Sequence, residues 1–308
     1  MTTPPRRPER FSNISFPCGA GVVRLSPLCY RLSNSSILPH SPVPWLALTA
    51  LAIYVLLGWQ FCRTRLSGHA QPRPAIEQGA LLIAFVLHGL ALWPPLAQVP
   101  LHFGAAEALS MTAWLALLVY LLGQLTLRLD GLQPPLMAVA ILLLGASLLL
   151  PQGHALAYPQ NTLSRLHFLA AMLAQGLLAN AAGLAILMRF ADRRLHHADA
   201  HLLVQKLPPL MALERLLFGC IALGFFWLTL ALATGALFGE AIYGKTIEFN
   251  HKVLLSVAAW LTFGSLLLGR QLKGWRGKTA SNWTIAGFGL LLLGYIGTRI
   301  VFEAILRR

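Results

Sequence analysis

An all-α bundle that crosses a membrane about eight times is the fold this sequence predicts. Three observations predict it. Charged side chains make up only 11% of the 308 residues while 56% are hydrophobic, against roughly 25% charged in a soluble domain. The mean hydropathy is +0.65, and the apolar residues gather into runs close to the ~20 residues that a membrane helix needs. Finally, the cations fall in alternate connections between those runs, the signature of a chain threaded back and forth through a bilayer.

The first 42 residues are rich in Pro, Ser and Arg and carry no apolar period. They lack the apolar core of a signal peptide and read as a disordered extension. The membrane domain spans 43–306. Its runs lie near 43–62, 79–97, 105–127, 134–151, 163–189, 213–238, 251–270 and 282–305. The connections 128–133 and 152–162 are short, which favours antiparallel neighbours in one bundle. The fifth run is dense in small residues, from Ala170 and Ala171 through Gly176 to Ala182 and Gly183. They let neighbouring backbones approach closely, a packing signal and not a chemical one.

The net charge of +14 is read through topology. The loop after the first run carries Arg63, Arg65 and Arg73, the third Arg128, the fifth Arg189, Arg193, Arg194 and Lys206, and the seventh Arg270, Lys273, Arg276 and Lys278. The even loops hold few cations. By the positive-inside rule the odd loops face the cytoplasm and both termini of the membrane domain lie outside. The basic segment 1–42 runs against that rule. No basic and aromatic residues interleave in the nucleic-acid manner, so DNA or RNA partners are excluded. The four cysteines, Cys18, Cys29, Cys62 and Cys220, form neither CxxC nor the CxxCH of covalent haem attachment.

Histidines are the candidate chemistry. On this topology His167 sits about one turn inside the outer end of the fifth helix and His251 at the outer mouth of the seventh. His102 and His154 fall in outer loops and His88 near the middle of the second helix. Imidazoles on facing helices can hold haem iron axially. Each also has a plainer reading: an interfacial hydrogen bond for His167, a headgroup contact for His251, a neutral interhelical hydrogen bond for His88. His196, His197 and His201 form HHxxxH, a metal-ligand spacing. With Asp199 among them and no helix pattern around them, they read as a solvated loop. Arg299 and Glu303, four residues apart, read first as an ion pair; the sharper reading is an Arg that reaches a carboxylate of a bound ligand such as a haem propionate. Gly277-Lys278-Thr279 is not a phosphate loop, because Leu272 stands where that motif requires Gly. No catalytic triad or carboxylate pair can be placed, so the chain reads as a non-enzyme.

The stretches HKVLLSVAAW (His251–Trp260), GRQLKGWRGK (Gly269–Lys278) and GYIGTR (Gly294–Arg299) carry a resemblance. So do Arg165–Met188, Pro208–Phe218 and Val86–Leu92. The chain resembles the cytochrome c assembly membrane-protein family, the CcsA/CcmC-like haem handlers, and within it the YpjD branch of inner-membrane proteins. The resemblance covers roughly 43–306. It implies haem binding or transfer toward cytochrome c maturation, with His167 and His251 as axial metal ligands, His88 as a third haem-binding position, and no covalent chemistry by the chain itself. The implied partners are the lipid bilayer, haem and other cytochrome c maturation membrane proteins; the implied location is the inner membrane. Two departures bear on presentation of haem to apocytochrome. The loop FGEAIYGKTIEFNHK (Phe238–Lys252) has no Trp, and Leu268 occupies the position of a second external His. The rival classes are a HemX-like structural or regulatory membrane protein without haem, and a small-molecule permease, which would more readily show broken helices in related halves.

Overall fold

In lipid no water is available to satisfy backbone N–H and C=O groups, so each apolar run must close its own hydrogen bonds as a helix. The computed structural model describes residues 43–66, 71, 73–97, 104–150, 162–195, 207–243 and 251–300, and these are helical throughout apart from short connections. Eight α-helices follow in order: α1 (Val43–Phe61), α2 (Pro74–Ala97), α3 (Ala105–Gly123), α4 (Gln133–Leu149), α5 (Thr162–Leu195), α6 (Leu210–Tyr243), α7 (His251–Lys273) and α8 (Gly277–Ile300). Seven helical spans among the described residues are long and apolar enough to cross a membrane. Segment 1–42 lies outside the described residues.

Local chemistry sets several ends. Gly104 precedes α3, and its N–H donates to Glu107 Oε2 at 2.8 Å, satisfying a donor that the helix start leaves orphaned. Pro134 and Pro135 open α4, where a missing N–H costs nothing. Pro94 and Pro95 sit three and two residues before the end of α2, which they cannot extend far. Helix α5 has 34 residues, or about 50 Å at ~1.5 Å per residue. It outruns a hydrocarbon core of ~30 Å, so its last turns, with Asp192 and Arg193, project from the bilayer. Helix α7 ends at Gly274, whose φ of +65° is a left-handed conformation that glycine adopts without strain. The Gly274 and Trp275 amides donate back to the Arg270 and Gly269 carbonyls, and the Trp275 ring lies directly on Gly269. These bonds reverse the chain into α8 within three residues.

The principal helix contacts form two rings of four. In the first, α1 packs on α2, α2 on α3, α3 on α4 and α4 back on α1; in the second, α5 packs on α6, α6 on α7, α7 on α8 and α8 back on α5. The rings join along α3 and α5. There the small residues of α5 do what the sequence predicts. Gly176 lies against Leu115 and within reach of the Thr112 Cα, and Asn180 Nδ2 donates to the Thr112 carbonyl at 3.1 Å.

One buried core runs through both rings, with Tyr54, Phe61, Leu117, Met137, Leu178, Leu217 and Phe263 among its members. The outer surface is apolar, as a lipid-facing surface must be: Leu56, Leu142, Leu223, Leu261 and Leu293 are all exposed. Trp45 and Trp93 are exposed at one end of the first ring, and Trp59, with Arg63 4.6 Å over its ring, at the other. Amphipathic rings favour those two levels of a bilayer.

Several buried polar groups are paired across helices. At the Arg-bearing end of the first ring, Arg65 Nη2 donates to Glu77 Oε2 and Arg65 Nε to Gln133 Oε1, both at 3.0 Å. Gln133 Nε2 donates in turn to the Tyr120 hydroxyl at 2.9 Å. This network ties the Cys62–Leu66 turn that follows α1 to α2, α4 and α3.

Candidate functional site

The second ring holds two of the three candidate histidines. His167 is the sixth residue of α5 and is buried. Its Nδ1 lies 2.9 Å from Thr234 Oγ1 on α6. The Thr234 hydroxyl has one proton, which is directed to the Leu230 carbonyl at 2.7 Å. With that proton so directed, the hydroxyl oxygen is placed to accept from Nδ1–H of His167, which would leave the imidazole lone pair on Nε2. That is the tautomer in which a histidine ligates iron, its other nitrogen held by a hydrogen bond. Gly235 makes the approach of α6 feasible: a Cβ there would come within 3.2 Å of His167 Cε1. Phe168 meets the imidazole edge-on, with ring centroids 5.5 Å apart.

His251 is the first residue of α7, and its side chain lies outside the described residues. Its level follows from the antiparallel register of α6 and α7. Trp260 Nε1 donates to Thr229 Oγ1 at 2.8 Å, and Gly264 faces the Phe225 ring. Counting outward from that pair brings Leu255 level with Thr234. His251 is then four residues farther toward the end of the ring, about 6 Å at ~1.5 Å per residue. In the ring order α5 and α7 stand across from each other, each flanked by α6 and α8. The two histidines thus occupy the same end of opposed helices, one turn apart in height. With neighbouring axes ~8–10 Å apart, the diagonal of such a ring is roughly 11–14 Å. Small residues, Ala170 and Ala174 on α5, Ala231 and Gly235 on α6, and Gly294 on α8, are concentrated at this end. Deeper in, Leu178, Phe263 and Leu266 fill the ring.

His88 belongs to the first ring and is fully buried. Its Nε2 lies 2.9 Å from Ser110 Oγ on α3, and its Nδ1 3.2 Å from the Tyr54 hydroxyl on α1. The Tyr54 hydroxyl is also 3.3 Å from the Ala84 carbonyl. Both ring nitrogens therefore have partners, the arrangement of an interhelical hydrogen bond. Ligation by His88 requires one of those bonds to open. The structure does not bring His88 to His167, which sits in the other ring.

His102, His154, the trio His196, His197 and His201, Glu303 and residues 244–250 lie outside the described residues, as does the Arg299 side chain; of the stretch read as a loop before α7, residues 238–243 instead belong to α6, and His251 and Lys252 open α7. Among the described residues no group of three or more His, Cys, Asp or Glu could hold a metal ion; a pair of haem-ligating histidines needs no such group. Sequence reasoning missed Thr234, Gly235, Tyr54 and Ser110. Thr234 and Gly235 left one local signal, a polar and a small residue together late in an otherwise apolar run.

A family model described as "Cytochrome C assembly protein" matches residues 79–306. Among curated proteins, the inner membrane protein YpjD of Escherichia coli K12 is 38% identical over 101 residues, 33% of this chain and 38% of that protein. The chain thus matches little more than a third of the length of that relative. An uncharacterised 28.8 kDa protein of Azospirillum brasilense is 28% identical over 249 residues, 79% of this chain and 91% of that protein. The cytochrome c biogenesis protein CcsA of Prochlorococcus marinus NATL1A is 30% identical over 89 residues, 29% of this chain and 28% of that protein. No solved structure gives a significant match.

Proposed function

Because this chain belongs to the cytochrome C assembly protein family, we propose that it binds haem at the outer end of its second helix ring and handles it for the maturation of c-type cytochromes. It is a multi-pass protein of the inner membrane. The observation that carries the reading is the contact of His167 Nδ1 with Thr234 Oγ1. With Nδ1 as the donor, this contact would hold the imidazole plane and leave Nε2 for iron. His167 and His251 are the axial pair, on opposed helices at one end of the ring. The donor chemistry fits: neutral imidazoles, an apolar surround and small residues where a planar macrocycle needs room.

Haem here is cargo. The chain's own contribution is to offer nitrogen ligands, exclude water and hold the cargo at the outer face, with the arginine-rich end in the cytoplasm. No bond is made or broken by the protein. His88 acts as a relay ligand only if it releases Ser110 or Tyr54. The name of the CcsA relative, a cytochrome c biogenesis protein, supports the same reading.

The test is the absorption spectrum of protein purified in detergent from cells supplied with haem. We expect a Soret band with low-spin character. His167→Ala and His251→Ala should each shift it toward high spin or remove it, since loss of an axial ligand leaves iron five-coordinate or open to water. His102→Ala and His154→Ala should leave it unchanged. Wild-type protein without Soret absorption, or a spectrum indifferent to both substitutions, overturns the assignment.

A further inference from the structure

The Arg-bearing end of the second ring carries a groove that the haem reading does not use. It opens between α6 and α7 with a volume of about 440 Å³, lined by Arg215, Phe218 and Gly219 from α6 and by Leu267, Arg270 and Gln271 from α7. The spacings are helical: 215, 218 and 219 form one stripe, and 267, 270 and 271 the stripe that faces it. We propose that this groove binds the phosphate-bearing headgroup of an anionic phospholipid.

Charge is the first argument. Two other cations at this end have acids: Arg276 pairs with Glu214 at 3.6 Å and Lys278 with Asp192 at 3.4 Å, whereas Lys273 makes no ion pair among the described residues and does not line the groove. Arg215 and Arg270 make no ion pair among the described residues. Two guanidinium groups lining one groove are therefore without a counter-charge among the described residues. A planar fork that pairs with two phosphate oxygens at once suits such an anion.

Position is the second. The Arg270 guanidinium lies 3.6 Å over the ring of buried Phe218. That contact holds the cation at the groove wall, where a merely topological arginine would extend into water. The Gly219 side is open, since a Cβ there would meet nothing within 4 Å.

The third argument is what lies next to the groove. Toward the bilayer centre the same two helices expose Leu223 and Phe226, and Leu261 and Leu268. A phosphate held at the arginines places its acyl chains along that apolar face. A free phosphate ion has no use for it. Cationic pockets between membrane helices on the cytoplasmic side bind anionic headgroups in this way.

Native mass spectrometry of the detergent-purified full chain, titrated with phosphatidylglycerol or phosphatidylcholine, tests the proposal. Phosphatidylglycerol should bind with one preferred site and phosphatidylcholine should not. Neutralising each arginine should weaken that site about fivefold, the share of a single cation near a lipid surface, and R215Q/R270Q together roughly 30-fold. Gly219→Leu, which fills the groove without changing charge, should also abolish the preference, so the result does not depend on one variant folding. Lys273→Gln removes an exposed cation of the same end that does not line the groove, and should bind as the wild type does. The proposal fails if Lys273→Gln weakens binding as much as the arginine variants do. It fails equally if the double variant keeps the preferred site, or if inorganic phosphate competes for it at concentrations comparable to the lipid.

Discussion

Glu77→Leu should destabilise the protein more than Arg65→Leu/Glu77→Leu does, although the double variant loses more native contacts. In the native structure Glu77 Oε2 accepts from Arg65 Nη2 at 3.0 Å and Oε1 from the Arg73 amide at 3.3 Å. The two side chains of the ion pair are only 15% and 4% exposed. Removing the carboxylate alone leaves a guanidinium in a poorly solvated place, with Gln133 Oε1 as its remaining partner. Breaking a buried pair in this manner costs ~3–5 kcal/mol. Arg65 is the more exposed partner and its long stem can carry the charge toward the headgroups, which lowers the figure to about 2–3 kcal/mol. Removing both groups leaves no orphaned charge, and apolar replacement of a buried pair is near neutral or better. Gln133 then loses one partner, which costs ~1 kcal/mol. The double variant should therefore lie within about 1 kcal/mol of the wild type. Glu77→Gln, which keeps an acceptor and drops the charge, should fall between. Equilibrium unfolding of wild type, Arg65→Leu, Glu77→Leu and the double variant in mixed micelles, followed by far-ultraviolet circular dichroism, gives the four free energies that close the double-mutant cycle. If the two single losses simply add in the double variant, the pair is not coupled and the argument is wrong.

The remaining predictions rest on close contacts elsewhere. Thr234→Val preserves shape but removes the acceptor of His167 Nδ1–H, so affinity for added haemin should fall about 10–100-fold, the usual effect of losing the hydrogen bond behind a metal ligand. Thr234→Ser should restore it, and an unchanged haemin titration for Thr234→Val would count against the tautomer assignment. Gly176→Leu forces a side chain into the seam where α5 meets Leu115 of α3, and should cost ~1–3 kcal/mol in thermal unfolding. Gly183→Ala on the same helix, where a Cβ meets nothing within 4 Å, should be neutral or stabilise by up to about 1 kcal/mol; equal losses at both sites would show that α5 is not packed as described.

Among the described residues the sequence by itself located each of the eight helices, because in lipid the need to satisfy the backbone is local to each segment; several ends differ, with α3 stopping at Gly123, α5 running on to Leu195 and α6 to Tyr243. Helix starts differ from the apolar runs mainly where polar first turns extend them, at Pro74 for α2 and Gly277 for α8. The resemblance borne by the GWRG turn and the flanking helices was legible for the same reason, being written in contiguous residues. Which face of each helix turns inward was not legible. A membrane helix is apolar all round, so the period that marks the buried face of a soluble helix is faint.

Partners suffered most. His167 meets Thr234 67 residues away, His88 meets Tyr54 and Ser110 from two other helices, and Arg65 reaches Gln133 across 68. Each histidine was visible as a cost that something must offset. Closure of the helices into two rings decided what offsets it: a satisfied hydrogen-bond triad around His88 in one, and in the other the Thr234 hydroxyl 2.9 Å from His167 Nδ1.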